Sequence, residues 1–408
     1  MNNRGERFRI STSDTAIQLD LVSKVHGVSS AEDYFQKLPD ALKDKRIYGA
    51  LLNAYVRAKS REKAESLISL MRERGYASHA LPFNVMMTLY MNLKDYDKVE
   101  LMVSEMMEKQ IALDIYSYNI WLSSRGSQGS AEKMEQIFEQ MKLDRTINPN
   151  WTTFSTMATM YIKLGEMEKT EDCLKKVEAR ITGRDRIPYH YLISLNGNAG
   201  NKEEVDRVWK TYKSVFPYIP NLGYHAVISA FIRLDDIQGA EDIYEEWLSV
   251  KSAYDPRIGN LLIGWYVRKG FLEKAKVFFD EMSKVGGKPN STTWEILAEG
   301  HIGERRISEA VSCLNEAALA EGSNFWKPKP VNVSSILKFC QQEDDIASKE
   351  VLLGVLKQKG CFEDKVYMSY IPISNGMITV NELPMEKGST DDDDDGAEMI
   401  LNQLQGSL

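Results

Sequence analysis

Apolar residues in this chain fall at steps of three and four, and the pattern breaks and restarts at a regular interval. Residues 256–290 show one full cycle. The run Asn260-Leu261-Leu262-Ile263-Gly264-Trp265-Tyr266-Val267-Arg268 is interrupted at Lys269-Gly270. Leu272, Ala275, Phe279 and Met282 follow at steps of 3, 4 and 3, which is one face of a helix. Gly286-Gly287-Lys288-Pro289-Asn290 ends it, as Gly and Pro end helical runs. The cycle predicts two short helices joined by a tight turn. Neither is long enough to persist alone, so each must bury its apolar face on a neighbour.

The cycle has a fixed length. Tyr48, Phe83, Tyr118, Phe154, Tyr189, Tyr224 and Trp294 lie on a grid of 35 residues, with one step of 36 and Gly259 at a point without an aromatic. Position 1 is taken three residues before each aromatic. Position 20 then holds Ala64, Val99, Met134, Thr170, Val205, Ala240, Ala275 and Ala310, several of them small. Apolar and aromatic stripes run through positions 24 and 27, from Ile68 and Met71 to Phe279 and Met282. At this spacing they are packing between helices, not a cofactor box. The expected fold is all-α: a right-handed α-α superhelical solenoid of about nine helix–turn–helix repeats of 35 residues.

The expected organisation starts with a flexible N-terminus at residues 1–13 and a degenerate capping repeat at 14–44, where Thr15 replaces the aromatic. Eight repeats follow: 45–79, 80–114, 115–150, 151–185, 186–220, 221–255, 256–290 and 291–325. A degenerate C-terminal repeat spans 330–370, with Val333 in place of the aromatic and Ile346 and Leu356 in register. Atypical terminal units are expected as caps. Residues 377–408 read as an acidic disordered tail containing Asp391–Asp395, with a short helix possible over 397–405.

Composition narrows the function. The 408 residues carry 51 Lys and Arg against 59 Asp and Glu, for a net charge of −8. The aspartate run accounts for much of that, so the remainder is closer to balance. Cys173, Cys313, Cys340 and Cys361 share no metal-ligand spacing and read as reduced thiols. No stretch is apolar enough to span a membrane, and no secretory signal or transit peptide is legible. No nucleophile–base constellation or phosphate-binding glycine loop is present. No HxE lies near a CxxC, which argues against a zinc deaminase. An enzyme, a cofactor, a metal and a small-molecule substrate are therefore not expected.

The unit length, the openings Tyr118-Asn119 and Phe83-Asn84, and the ending Lys288-Pro289-Asn290 resemble the pentatricopeptide repeat family over about residues 14–370. The segments at 13–21 and 51–55 look like its plant organelle branch, in the pure-repeat class. The resemblance implies reading of single-stranded RNA, one base per repeat, from the concave face. Position 5 and the last position of a repeat would select the base, position 2 would wall it, and a cation at position 13 would meet phosphate. The base-reading pairs are then Asn84 with Asp114, resembling a uracil pair, and Asn119 with Asn150, resembling a pyrimidine pair, mostly for cytosine. Ser155 with Asp185 looks like a weak guanine pair, and Asn260 with Asn290 is again pyrimidine. The phosphate-contacting residues are Arg57, Lys163, Arg233 and Arg268.

Other repeats depart from the pattern. Repeat 1 has Gly49 with His79, and repeat 5 has His190 with Pro220, or Asn221 if the register slips by one. Repeat 6 has His225 with Asp255, and repeat 8 has Glu295, which would repel phosphate. Position 2 is apolar at Leu81, Ile187 and Leu222 but polar at Thr152, Arg257 and Thr292. His190 and His225 would be neighbours, yet a third metal ligand is not apparent. The aspartate run reads as a solvated tail or as an RNA mimic in the groove; truncation at Gly388 would then strengthen RNA binding.

Two functions compete. One is an RNA-binding adaptor in organelle RNA processing, stability or translation. The other is a solenoid held by protein contacts in a ribonucleoprotein such as the mitochondrial ribosome. The resemblance favours the mitochondrion, with the chloroplast as the alternative.

Overall fold

The computed structural model describes residues 11–370, and every regular element among them is helical. The 1–10 part of the proposed N-terminal segment and the acidic tail lie outside the described residues. No described helix is long and apolar enough to cross a membrane. The chain divides into two compact units between Gly183 and Arg184.

The first unit opens with α1 (Thr12–Lys37), capped by Ser11 and broken at Gly27, whose φ of 82° no helix accommodates. Helix pairs follow: α2 (Lys45–Arg57) with α3 (Arg61–Glu73), α4 (Ala80–Asn92) with α5 (Tyr96–Glu108), α6 (Ile115–Ser127) with α7 (Ala131–Leu143), and α8 (Trp151–Leu164) with α9 (Met167–Glu178). The second unit holds α10 (Ile187–Asn198) with α11 (Lys202–Val215), α12 (Asn221–Arg233) with α13 (Ile237–Val250), and α14 (Pro256–Arg268) with α15 (Leu272–Lys284). It continues with α16 (Ser291–Gly303) and α17 (Ile307–Leu319), α18 (Pro330–Glu343) and α19 (Ile346–Gln358), and the short α20 (Lys365–Tyr370). Within each unit the first helices of successive pairs pack side by side, and each second helix packs on its own partner and on the next first helix.

The turn inside each pair has one cause. Position 15 is left-handed in every repeat from Lys59 to Asp344, because a tight helix–helix turn needs one residue with positive φ. Gly129, Gly165, Gly200 and Gly270 take it without steric cost. Lys59, Lys94, Asp235, Arg305 and Asp344 take it at φ between 50° and 57° despite carrying a Cβ.

Packing follows the stripes. The position-20 side chains, from Ala64 to Ala310, have no exposed surface. Met71, Met106, Met141, Val177, Tyr212, Trp247 and Met282 at position 27 are buried as well. Tyr48, Phe83, Tyr118, Phe154, Tyr189 and Tyr224 are buried, and Trp294 is packed on the second unit's core. The vacancy at Gly259 is filled from elsewhere. A Cβ there would come within 2.4 Å of the Tyr254 hydroxyl, so Tyr254 supplies the missing ring. It stacks edge-on against Trp247 and shares a 2.7 Å hydrogen bond with Tyr244. In the last pair Val333 and Leu356 are buried as expected, but Ile346 is exposed, because it sits at the first turn of α19.

A second periodic device joins neighbouring repeats. The Tyr90 hydroxyl donates to Glu65 of the preceding repeat at 3.0 Å, and Tyr161 donates to Glu135 at 2.9 Å. Tyr55 bonds Glu32, and Tyr266 bonds Glu241, in the same way. Lys63, Lys98 and Lys169 close on the same carboxylates and lie over the same tyrosine rings. Where position 11 is Arg125, its guanidinium and the Trp121 N–H take Glu100 instead. A carboxylate at position 21 thus fixes the register of the next repeat.

Candidate nucleic-acid interface

The position-5 side chains lie on the first helices of their pairs, one turn in from the N-terminus. Asn84, Asn119, Ser155 and Asn260 are only 2 %, 3 %, 2 % and 7 % exposed. Asn84, Asn119 and Asn260 each sit against the start of the following first helix, whose capping residue is the last position of their own repeat. That residue is half-buried at Asp114, Asn150 and Asn290. A buried amide therefore backs a more accessible cap.

Two of the expected pairs bond directly. Asn84 donates Nδ2–H to both oxygens of Asp114 at 3.0 and 3.1 Å. Asp114 also accepts the Ser117 backbone N–H at 2.8 Å, which caps α6. Asn260 donates to Asn290 Oδ1 at 3.3 Å, and Asn290 caps α16 through the Thr293 N–H at 2.9 Å. The third pair is bridged. Asn119 donates to the Thr152 hydroxyl at 3.0 Å, and Thr152 donates to Asn150 at 2.6 Å. The two members of the fourth pair belong to different units. The buried Ser155 hydroxyl has no partner among the described residues, and Asp185 accepts the Ile187 N–H at 3.0 Å.

The departures from the pattern have structural reasons. Glu295 does not face phosphate. It is 6 % exposed and accepts from the Lys329 backbone N–H at 2.6 Å and from Trp326 Nε1–H at 3.0 Å. It ties α16 to the chain leading into α18, and burial pushes its carboxyl above the usual range. His190 shares a 2.9 Å bond with the Tyr212 hydroxyl, and burial lowers its imidazole to about 4, so it is neutral near pH 7. Asp255 is occupied by Arg257, at 2.9 and 2.6 Å, and by Asn221 at 3.2 Å. Asn221 also accepts from Trp247 Nε1–H at 3.0 Å, so it serves packing rather than base reading. Among the described residues no three His, Cys, Asp or Glu side chains cluster as a metal site.

The four candidate cations differ. Arg57 is held by Asp20 at 2.8 Å and by the Ser23 hydroxyl at 3.2 Å. Arg233 bonds Ser194 at 3.3 Å, among its contacts. Lys163 and Arg268 are exposed at the ends of α8 and α14. At position 2, Leu81, Ile187 and Leu222 are 40 %, 51 % and 61 % exposed, apolar surface that no packing explains. Of the bridging hydroxyls, Ser117 and Thr293 were not singled out from the sequence, and Thr152 was noted only as a polar position 2. The signal for two of them is the capping box, a Ser or Thr three residues after the cap, which pairs reciprocally with it.

Known proteins resemble this chain in sequence and in fold. Models of the PPR repeat match residues 46–76, 82–111, 152–180 and 224–250, a pentatricopeptide repeat domain matches 101–163, and the PPR repeat family matches 258–303. A pentatricopeptide repeat-containing protein of Arabidopsis thaliana is 61 % identical over 100 % of this chain and 76 % of its own length. The large ribosomal subunit protein mL101 (rPPR4) of the same plant is 38 % identical over 88 % of this chain and 73 % of its own. A mitochondrial pentatricopeptide repeat-containing protein, also from Arabidopsis thaliana, is 34 % identical over 86 % of this chain and 71 % of its own. The crystal structure of the pentatricopeptide repeat protein PPR10 with an 18-nt psaJ RNA element has a similar fold, with a TM-score of 0.52 at 18 % identity. The match covers 88 % of this chain and 57 % of PPR10.

Proposed function

The chain belongs to the pentatricopeptide repeat family, and from that premise we propose that it is a non-enzymatic adaptor that binds single-stranded RNA base by base along its first helices. The observation that carries this reading is the bonded pair at the end of repeat 2. Asn84 and Asp114 form a fixed polar edge, Leu81 stands exposed at position 2, and Tyr116 holds position 2 of the next repeat. A pyrimidine between two such walls can meet the polar edge with its Watson–Crick face. Asn260 with Asn290, and Asn119 through Thr152 with Asn150, repeat the arrangement. Ser155 with Asp185 remains the proposed fourth reader. Lys163 and Arg268 are the cations best placed for phosphate, with Arg233 and Arg57 in support.

Relatives named as mitochondrial support placement in the mitochondrion, with organelle RNA processing, stability or translation as the task. The test is a fluorescence-anisotropy titration of the full chain with a pyrimidine-rich single strand over a range of salt. Phosphate contacts require affinity to fall with log salt, by about 0.7 per contact in the slope. Absence of binding at low salt would remove the reading.

A second reading has its own support. The 38 % identical relative is a large ribosomal subunit protein, and three of the eight position-5 residues here, Glu295, His190 and Gly49, serve packing or carry no side chain. A scaffold in a ribonucleoprotein would co-sediment with ribosomal subunits and bind free RNA weakly.

A further inference from the structure

Repeats 3 and 7 carry the same Asn–Asn pair, but the structure holds the two reading amides differently. In repeat 7 the chain of bonds begins at the backbone. The Thr293 N–H must find an acceptor, which fixes Asn290 Oδ1 toward α16. That oxygen then accepts from Asn260 Nδ2–H, so Asn260 Oδ1 points to the Thr293 hydroxyl, which donates to it at 2.7 Å. Repeat 2 has the same closure. Asp114 can only accept, so it fixes Asn84 Nδ2, and the Ser117 hydroxyl donates to Asn84 Oδ1 at 2.7 Å. Ser117 and Thr293 are fully buried in both cases.

Repeat 3 lacks this clamp. Asn119 is held on its nitrogen by Thr152, one residue earlier in the repeat than Ser117 and Thr293 are in theirs. Among the described residues its oxygen has no partner, and the hydroxyl of Thr153, at the clamping position, has none either. A single bond lets the amide turn about Cβ–Cγ, whereas two bonds on opposite ends resist turning.

The available chemistry follows. The two N–H bonds on one planar nitrogen diverge too widely to reach both oxygens of one carboxylate, so Asn84 shares one N–H with Asp114 and keeps the other. With their oxygens engaged, Asn84 and Asn260 present a donor. A donor meets O4 of uracil and opposes the amino group of cytosine. Asn119 can present either edge.

Resting on the RNA-binding reading, we propose that the buried hydroxyl at the third position of the following repeat is a specificity-determining positioning residue. Through it, Asn260 and Asn119 read differently despite identical pairs. The clamped repeats 2 and 7 select uracil over cytosine, and the unclamped repeat 3 accepts both.

The experiment selects RNA from a randomised single-stranded library with the full chain, sequences the bound pool, and repeats this with Thr293→Val, Thr293→Ser and Ser117→Ala. The register that responds to Thr293→Val is that of repeat 7. There the native chain favours uracil over cytosine about three- to tenfold, as one neutral hydrogen bond allows. Thr293→Val brings that ratio to near parity, and Thr293→Ser keeps it. Ser117→Ala narrows the ratio at one other register, though by less, because Asp114 still takes Asn84 Nδ2–H. Melting curves establish that each variant is folded; if Thr293→Val is not, Ser117→Ala carries the test. A native motif that neither variant alters overturns the clamp while leaving RNA reading intact. A native chain that enriches no motif overturns both.

Discussion

Asn84 and Asp114 lie 30 residues apart in sequence, yet the amide of one is bonded to both carboxylate oxygens of the other. Asp114 serves two ends at once, since it also caps α6. Asp114→Ala removes the cap, worth about 1 kcal/mol, and strands a buried donor, worth about 1–3 kcal/mol. Asp114→Asn keeps an oxygen for both and loses less. Urea unfolding of the two variants gives the order; equal losses would show that Asn84 does not depend on Asp114.

Glycine should stabilise this protein where it usually harms. Lys94 and Arg305 sit in left-handed backbone at φ 56° and 57°. Replacing either with glycine relieves a strain of about 1 kcal/mol. Part of that is offset by the greater freedom of the unfolded chain. The midpoint of thermal unfolding should rise for Lys94→Gly and Arg305→Gly. A fall in both would mean that the turns are not strained.

The register lock between repeats is testable at Glu65, which takes Tyr90 and Lys98 of the next repeat. The carboxylate is partly exposed, so the lock contributes modestly, about 1 kcal/mol. Tyr90→Phe and Glu65→Gln should each cost about that much, and the double variant little more than either alone. Additive losses in a double-mutant cycle would deny the contact.

Glu295 gives a pH signature. Its carboxyl is raised in the folded state by burial, so it contributes stability below the ordinary carboxylate range, and that contribution is lost as pH rises through the raised value. The stability difference between the native chain and Glu295→Gln should therefore shrink on going from acid toward neutral pH. A difference that grows over that interval would mean that the favourable bonds to Lys329 and Trp326 outweigh burial.

The fold was legible because its cause is periodic. Stripes at positions 20 and 27 and the aromatic grid reflect the same contact made again in each repeat, and such contacts leave a sequence trace. The Gly259 gap was legible only as an absence. Its filling by Tyr254 depends on a ring reaching back from five residues earlier. At the candidate interface, the pairing of Asn84 with Asp114 could be anticipated from the family resemblance. The burial of Glu295 could not, since its partners are a backbone N–H and an indole in the irregular stretch after α17. The difference between Asn119 and Asn260 turns on which of two adjacent positions of the following repeat faces the amide, the second at Thr152 or the third at Thr293, and composition does not encode that.

Phosphate contacts should separate by pairing. Lys163→Ala and Arg268→Ala remove exposed cations, so each should lower the slope of log affinity against log salt by about 0.7. Arg57 is already engaged with Asp20 and Ser23. Arg57→Ala should change the slope less and cost stability instead. Equal slopes for all three variants would place the RNA elsewhere.

The most direct test compares the affinity of the full chain for a pyrimidine single strand and for an adenine strand of equal length, in the native protein and in the Asn84→Ala/Asn119→Ala double variant. Base reading at the first helices predicts that the native chain prefers the pyrimidine strand, and that the double variant loses most of this preference while still binding with the same salt dependence. Equal affinity for both strands in the native protein, or a preference that the double variant keeps, would contradict it.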